Sequence, residues 1–169
     1  PPVCDSMFTV PTGSAAGHAA PLGAGPTEAR AGRIGAADLP ADPDGLATFA
    51  AGDFVLANDR VAILIEDVGV SDLYDPWGGK IVGIARVSGG RLVEPADFNE
   101  IIFAIGRHTI ETTSVTVMAD GATGEPAVVR TVGRLRPIPF FDEVAAPIAP
   151  TPYDDITVAL DYTLAPGAE

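Results

Sequence analysis

The chain reads as a succession of short apolar runs, most of them with period two, cut by glycine, proline and aspartate. The cleanest alternation lies near the end. Ile156, Val158, Leu160, Tyr162 and Leu164 alternate with Thr157, Ala159, Asp161 and Thr163, which predicts a strand with one face buried and one wet. Upstream, residues 52–67 (GDFVLANDRVAILIED) predict a β-hairpin: Phe54, Val55 and Leu56, a reversal at Asn58 and Asp59, then Val61 to Ile65. Val61, Ile63 and Ile65 fall on one face of that second strand, and Ala62 and Leu64 on the other. A strand apolar on both faces is expected to be covered on both sides.

The same grammar continues along the chain. Strands are expected at residues 80–87, at 91–94 after the turn Ser88-Gly89-Gly90, and at 101–110, a strongly apolar run. Two more are expected at 114–118 and 127–135, joined by a turn over 120–126. Residues 137–152 hold five prolines, so they are expected to cross between sheets rather than to form a central strand. No helical run of three turns with caps is present. The fold class that follows is all-β, an antiparallel sandwich. Residues 1–28 carry little periodicity and read as a flexible Pro/Gly/Ala-rich arm, tethering the domain or lying on it, and 29–169 as the sandwich. Residues 39–45 read as a turn cluster. The final turn, Ala165-Pro166-Gly167, follows a good strand and promises another, so the sandwich is expected to be incomplete at its C-terminal end.

Composition sharpens this picture in a few places. The 16 prolines and 19 glycines favour many short elements over long helices. A net charge of -13 disfavours nucleic acid, whose phosphates need a basic stripe. Arg130, Arg134 and Arg136 are the one local basic cluster, and on alternate strand positions they read as a solvated face. Anionic membranes are disfavoured for the same reason, and no run reaches the roughly 20 apolar residues of a membrane helix. The start of the chain lacks a basic region followed by an apolar one, so it reads as a processed or excised piece. Cys4 is the sole cysteine, which excludes an intrachain disulfide. The Pro-Pro-Val before it is a poor lipidation signal. His18, in the arm, and His108 are the only histidines, which excludes a histidine-rich metal centre.

Candidate chemistry centres on residues 67–79 (DVGVSDLYDPWGG). Asp67, Asp72 and Asp75 supply the hard oxygens that calcium takes, although their spacing matches neither an EF-hand nor a glycine-rich repeat loop. The competing reading is turn-forming aspartates. Tyr74 and Trp77, with Asp72 and Asp75 beside them, are suited to stacking on a sugar ring. The alternative for Trp77 is a side chain closing the end of the core. His108 and Glu111 have the chemistry for acid–base work of an epimerase- or lyase-like enzyme, but three positions apart on a strand they point to opposite faces. No nucleophile elbow, phosphate loop or dinucleotide fingerprint is present.

Three stretches carry a resemblance: ARAGRI at 29–34, GDFVLANDRVAILIED followed by DPWGGKIVGIA, and LDYTLAPG at 160–167. Together they resemble the N-terminal region of large bacterial secreted proteins or surface lipoproteins whose first domain is a β-supersandwich of the galactose-mutarotase-like type. The resemblance implies an extracytoplasmic location and further modules downstream, in some cases a metal-dependent hydrolase. It brings no catalytic residue with it, since His108 lies in no stretch that matches the mutarotase histidine. The function it implies is non-catalytic: scaffolding or carbohydrate recognition within a larger protein. A sugar-active enzyme using His108 and Glu111, and a structural cell-surface assembly module, are the alternatives.

Overall fold

The computed structural model describes residues 10–39, 49–71, 73–139, 143–144 and 156–169, with backbone alone for 94–99. Over these residues the chain is an all-β, antiparallel sandwich. Strands β1 (Arg30–Arg33), β2 (Phe54–Ala57), β3 (Val61–Ile65), β4 (Ile81–Ser88) and β5 (Arg91–Ile101) form one sheet in chain order. A second sheet holds β6 (His108–Ala119), β7 (Ala127–Pro137) and β8 (Thr157–Leu164), again in chain order. All but Leu39 of the turn expected at residues 39–45, most of the 137–152 connection, Cys4 and Asp72 lie outside the described residues.

The predicted hairpin is β2 and β3, paired from Phe54↔Ile65 to Ala57↔Ala62. Its two-sided apolar pattern has the expected result, because a separate core lies against each face. Phe54, Leu56 and Ile65 pack with Val115, Val117, Val129 and Leu164 between the sheets. Val55, Ala57, Ala62 and Leu64 pack on the other side, with Leu22, Ile34, Phe49 and Val82. The tip sits one residue later than expected. Asn58 bonds back to Val61 and is fully buried, so Asp59 and Arg60 make the turn. Burial of Asn58 is tolerated because both ends of its amide are bonded: Oδ1 accepts from the N–H groups of Arg60 and Val61, and Nδ2 donates to Ala168 O.

One expected strand is wrong. The apolar run over 101–110 is divided, with β5 ending at Ile101 and β6 beginning at His108. Between them Ile105 and His108 exchange both backbone hydrogen bonds around a two-residue turn whose first residue, Gly106, has φ +61°. A glycine first in such a turn is the signature of a tight hairpin reversal, and here it redirects the chain from one sheet to the other. Ile101, Phe103 and Ile105 are consequently exposed rather than core.

The arm lies on the domain. Ser14 exchanges two 2.8 Å backbone bonds with Val117 on β6, and Gly17 bridges Gly32 on β1. This strap therefore joins the two sheets along one side of the sandwich. Leu22, farther along it, is buried in the outer core. At the other end of the chain β8 keeps its alternation, with Val158, Leu160 and Tyr162 half-buried and Thr157, Ala159, Asp161 and Thr163 exposed.

Candidate functional site

Between β3 and β4 the chain leaves the sheet and returns beside its own start. Glu66 N–H donates to Lys80 O and Gly79 N–H to Glu66 O, while Gly78 N–H reaches Gly69 O and Ser71 N–H reaches Pro76 O. The acidic loop is thus a narrow reversal, closed toward its tip by the Ser71–Pro76 bond.

Its base encloses a buried lysine. Lys80 is 3% exposed, and its ammonium donates to the carbonyls of Asp75 at 2.7 Å and Trp77 at 2.8 Å. Oε2 of Glu66 lies 3.1 Å away and Oε2 of Glu100 3.4 Å. Glu100, from the end of β5, also accepts from the Tyr74 N–H through Oε1 at 2.8 Å. The Lys80 ammonium is thus the cation around which these oxygens gather. Two carboxylates and two carbonyls converge on it, and removing the ammonium would leave both carboxylates without a counter-charge.

Hydroxyls from the second sheet hold the rest of the loop. Thr109 donates to Asp75 Oδ2 at 2.5 Å and Thr112 to Gly78 O at 2.6 Å. Gly79 O receives both Thr131, at 2.8 Å, and the Tyr162 phenol, at 3.0 Å. Burial and the nearby Asp75 carboxylate push the Tyr162 phenol far above its ordinary range, so it remains a donor. A cavity of about 10 Å³ remains among Asp75, Lys80, Phe103, Thr109, Leu160 and Tyr162, room for about one water.

The sequence-predicted site residues are dispersed by this arrangement. Asp75 is buried and turned inward to Thr109 and the Trp77 N–H. Asp67 points elsewhere, 2.5 Å from the Arg33 guanidinium, which in turn lies over the Phe54 ring at 4.0 Å. Asp72 is outside the described residues. Among the described residues no group of three His, Cys, Asp or Glu side chains is placed to hold a metal ion. Tyr74 is 70% exposed, whereas Trp77 is half-buried, its backbone paired with Val70. His108 is buried at the start of β6. Glu111, three positions on in unbroken register, pairs with Arg136 at 2.7 Å, so the two are not brought together. In the basic cluster, Arg130 is bidentate to Asp161, and Arg136 takes Glu111.

Sequence reasoning did not find Lys80, Glu66, Glu100 or the hydroxyls of Thr109, Thr112, Thr131 and Tyr162. One signal was available. Lys80 is the chain's only lysine and directly follows two glycines at the end of an acidic loop.

The carboxyls here set a direction for pH dependence. Burial raises the pKa of Asp75, Glu66 and Asp53 above their ordinary values, against the lowering effect of Thr109 on Asp75, Lys80 on Glu66 and backbone N–H groups on Asp53. A raised carboxyl binds its proton more tightly in the folded chain than in the unfolded one. Its contribution to stability therefore grows as pH falls from neutrality through the folded pKa, and levels off below the unfolded value. Asp161, lowered by Arg130, acts in the opposite sense and loses its contribution on acidification. Asp75→Asn, uncharged at every pH, is expected to flatten the gain on mild acidification in urea unfolding measured from pH 7 to 4. An unaltered slope would remove Asp75 from the account.

Compared with known proteins, the chain matches no protein family, no curated protein and no solved structure.

Proposed function

We propose that this chain is a non-catalytic β-sandwich module that serves as a scaffold within a larger extracytoplasmic protein, of the supersandwich kind its sequence resembles. One observation carries the reading: the polar groups of the acidic loop are directed inward. Lys80 occupies Glu66 and Glu100, Thr109 occupies Asp75, and Thr112, Thr131 and Tyr162 occupy the Gly78 and Gly79 carbonyls. Such a loop locks two sheets together and presents few free ligands to a substrate or metal. The remaining space at its base, about 10 Å³, is too small for a sugar.

Carbohydrate recognition is the second reading, and the exposure of Tyr74 beside the half-buried Trp77 favours it. Trp77, the only tryptophan, gives a direct test through its fluorescence. On the scaffold reading, titration with calcium and with a panel of neutral oligosaccharides leaves the emission unchanged. A saturable shift with one glycan, lost in Tyr74→Ala, would replace the scaffold reading with carbohydrate binding. A saturable shift with calcium would reopen the acidic loop as a metal site.

A further inference from the structure

The cluster at the base of the acidic loop holds the reactants of a condensation. Lys80 is the chain's only lysine, and its nitrogen lies 3.1 Å from Glu66 Oε2 and 3.4 Å from Glu100 Oε2. The side chains of Lys80 and Glu100 are each 4% exposed and that of Glu66 19%, so water has little access to the three. The backbone sets this meeting. Glu66 directly follows β3 and Lys80 directly precedes β4, and Glu66 N–H donates to Lys80 O while Gly79 N–H donates to Glu66 O. The two continue the register of Ile65↔Ile81, so their side chains leave from opposite positions on one face.

The two carboxyls have different surroundings. Glu100 is held as an anion by backbone donors: Oε1 accepts from the Tyr74 N–H at 2.8 Å, and the Asp75 N–H lies 3.3 Å from both oxygens. Glu66 Oε2 is buried and meets the Lys80 nitrogen as a contact rather than as an aligned hydrogen bond. Burial also favours the protonated form of Glu66. Taken out of water, an ammonium and a carboxylate can exchange a proton and become an amine and a carboxylic acid. Environments that separate two carboxyls in this way assign them different roles, one to be attacked as the acid and one to take a proton.

We propose that Lys80 and Glu66 condense to an intramolecular amide, an isopeptide bond from Nζ to Cδ, with Glu100 as the general base. Lys80 first passes a proton to Glu66. The amine nitrogen, already at contact distance, then attacks Cδ of the carboxylic acid. Glu100 takes a proton from the attacking nitrogen and delivers it to the departing hydroxyl. One C–N bond forms, one C–O bond breaks and one water leaves; nothing is oxidised or reduced and no co-reactant enters. The cavity beside Lys80, with room for about one water, can receive it. The Asp75 and Trp77 carbonyls favour the ammonium, so the reaction is slow and the ion pair is the state that precedes it. The product closes the acidic loop covalently across its base. This goes beyond the scaffold reading, and its test reads mass rather than ligand binding, so the two fail separately.

The experiment follows the intact mass of the full chain, kept folded at pH 7 over weeks. A species lighter by one water is expected to accumulate, and to be absent from a sample held in denaturing urea. Trypsin does not cut after an acylated lysine, so residues 61–86 then appear as one peptide lighter by one water, with 66–80 closed as a ring. Glu100→Gln removes the base and is expected to slow the loss about 100-fold or more. Lys80→Arg keeps a cation but not the amine, and residues 61–86 keep their full mass. Should either variant fail to fold, the peptide map of the unaltered chain still decides. Four results overturn the proposal: no water lost from residues 61–86, a link from Lys80 to Glu100 instead, equal loss in urea, or an unslowed loss in folded Glu100→Gln.

Discussion

Replacing Lys80 with Met is expected to destabilise the domain by about 3–5 kcal/mol at neutral pH, the scale for breaking a buried ion pair by removing one partner. Met keeps much of the side chain's length and apolar stem, so the loss reports the ammonium rather than a void. Glu66 and Glu100 are left without a counter-charge, and the Asp75 and Trp77 carbonyls without their donor. The measurement is urea unfolding followed by circular dichroism, with the midpoint falling and the slope retained. The sign of its pH dependence follows from the same geometry. Without the ammonium the buried Glu66 carboxyl, already raised by burial, holds its proton more tightly still, so the deficit narrows as pH falls through the carboxylate range. A loss under about 1 kcal/mol at pH 7 would show that water solvates the cluster and that Lys80 is not its lock.

Gly79→Ala is the second large effect, with an expected loss of about 2–4 kcal/mol. The backbone there has φ +83°, and a Cβ would lie 2.5 Å from Thr131 Cγ2 and 2.8 Å from Thr112 Oγ1. Backbone strain and overlap with the second sheet therefore add. They separate in a double-mutant cycle, because Thr131→Ser deletes the Cγ2 methyl and keeps the hydroxyl that binds Gly79 O. Gly79→Ala is expected to cost less in the Thr131→Ser background, with the strain remaining. Equal costs in both backgrounds would mean that the loop, not the sheet, absorbs the new methyl.

Both effects fall on the part of the molecule that was hardest to read from sequence. Period-two patterns were legible because each strand's burial is a local property: Val61 to Ile65 and Ile156 to Leu164 announce their faces in their own residues. The run over 101–110 was misread because its apolar residues outweighed a single glycine, although Gly106 alone sets the reversal. The lock around Lys80 was illegible for a different reason. Its members come from the end of β3, the start of β4, the end of β5 and all three strands of the second sheet. No spacing rule links Glu100 to Glu66, or Thr131 to Gly79. The acidic loop itself was visible, along with Tyr74, Trp77, Asp67 and Asp75, but the partners that turn Asp75 inward were not.

The strap described above constrains the order in which the chain assembles. Gly13 N–H bonds to Thr116 Oγ1 across 103 residues, beside the Ser14–Val117 pair. Contacts of such separation close late, after the loop entropy between them has been met by other structure. During synthesis at about 5–20 residues per second, the strap emerges several seconds before its docking strand exists. Until β6 and the turn after it arrive, Ser14 lacks its partner and the Ala31 N–H its acceptor, Asp120 O, whereas the outer core around Leu22 draws only on residues before β6. The hairpin of β2 and β3 can pair within that interval, because its partners are neighbours in the chain. The strap, made before every strand it joins, is among the last segments to find its place.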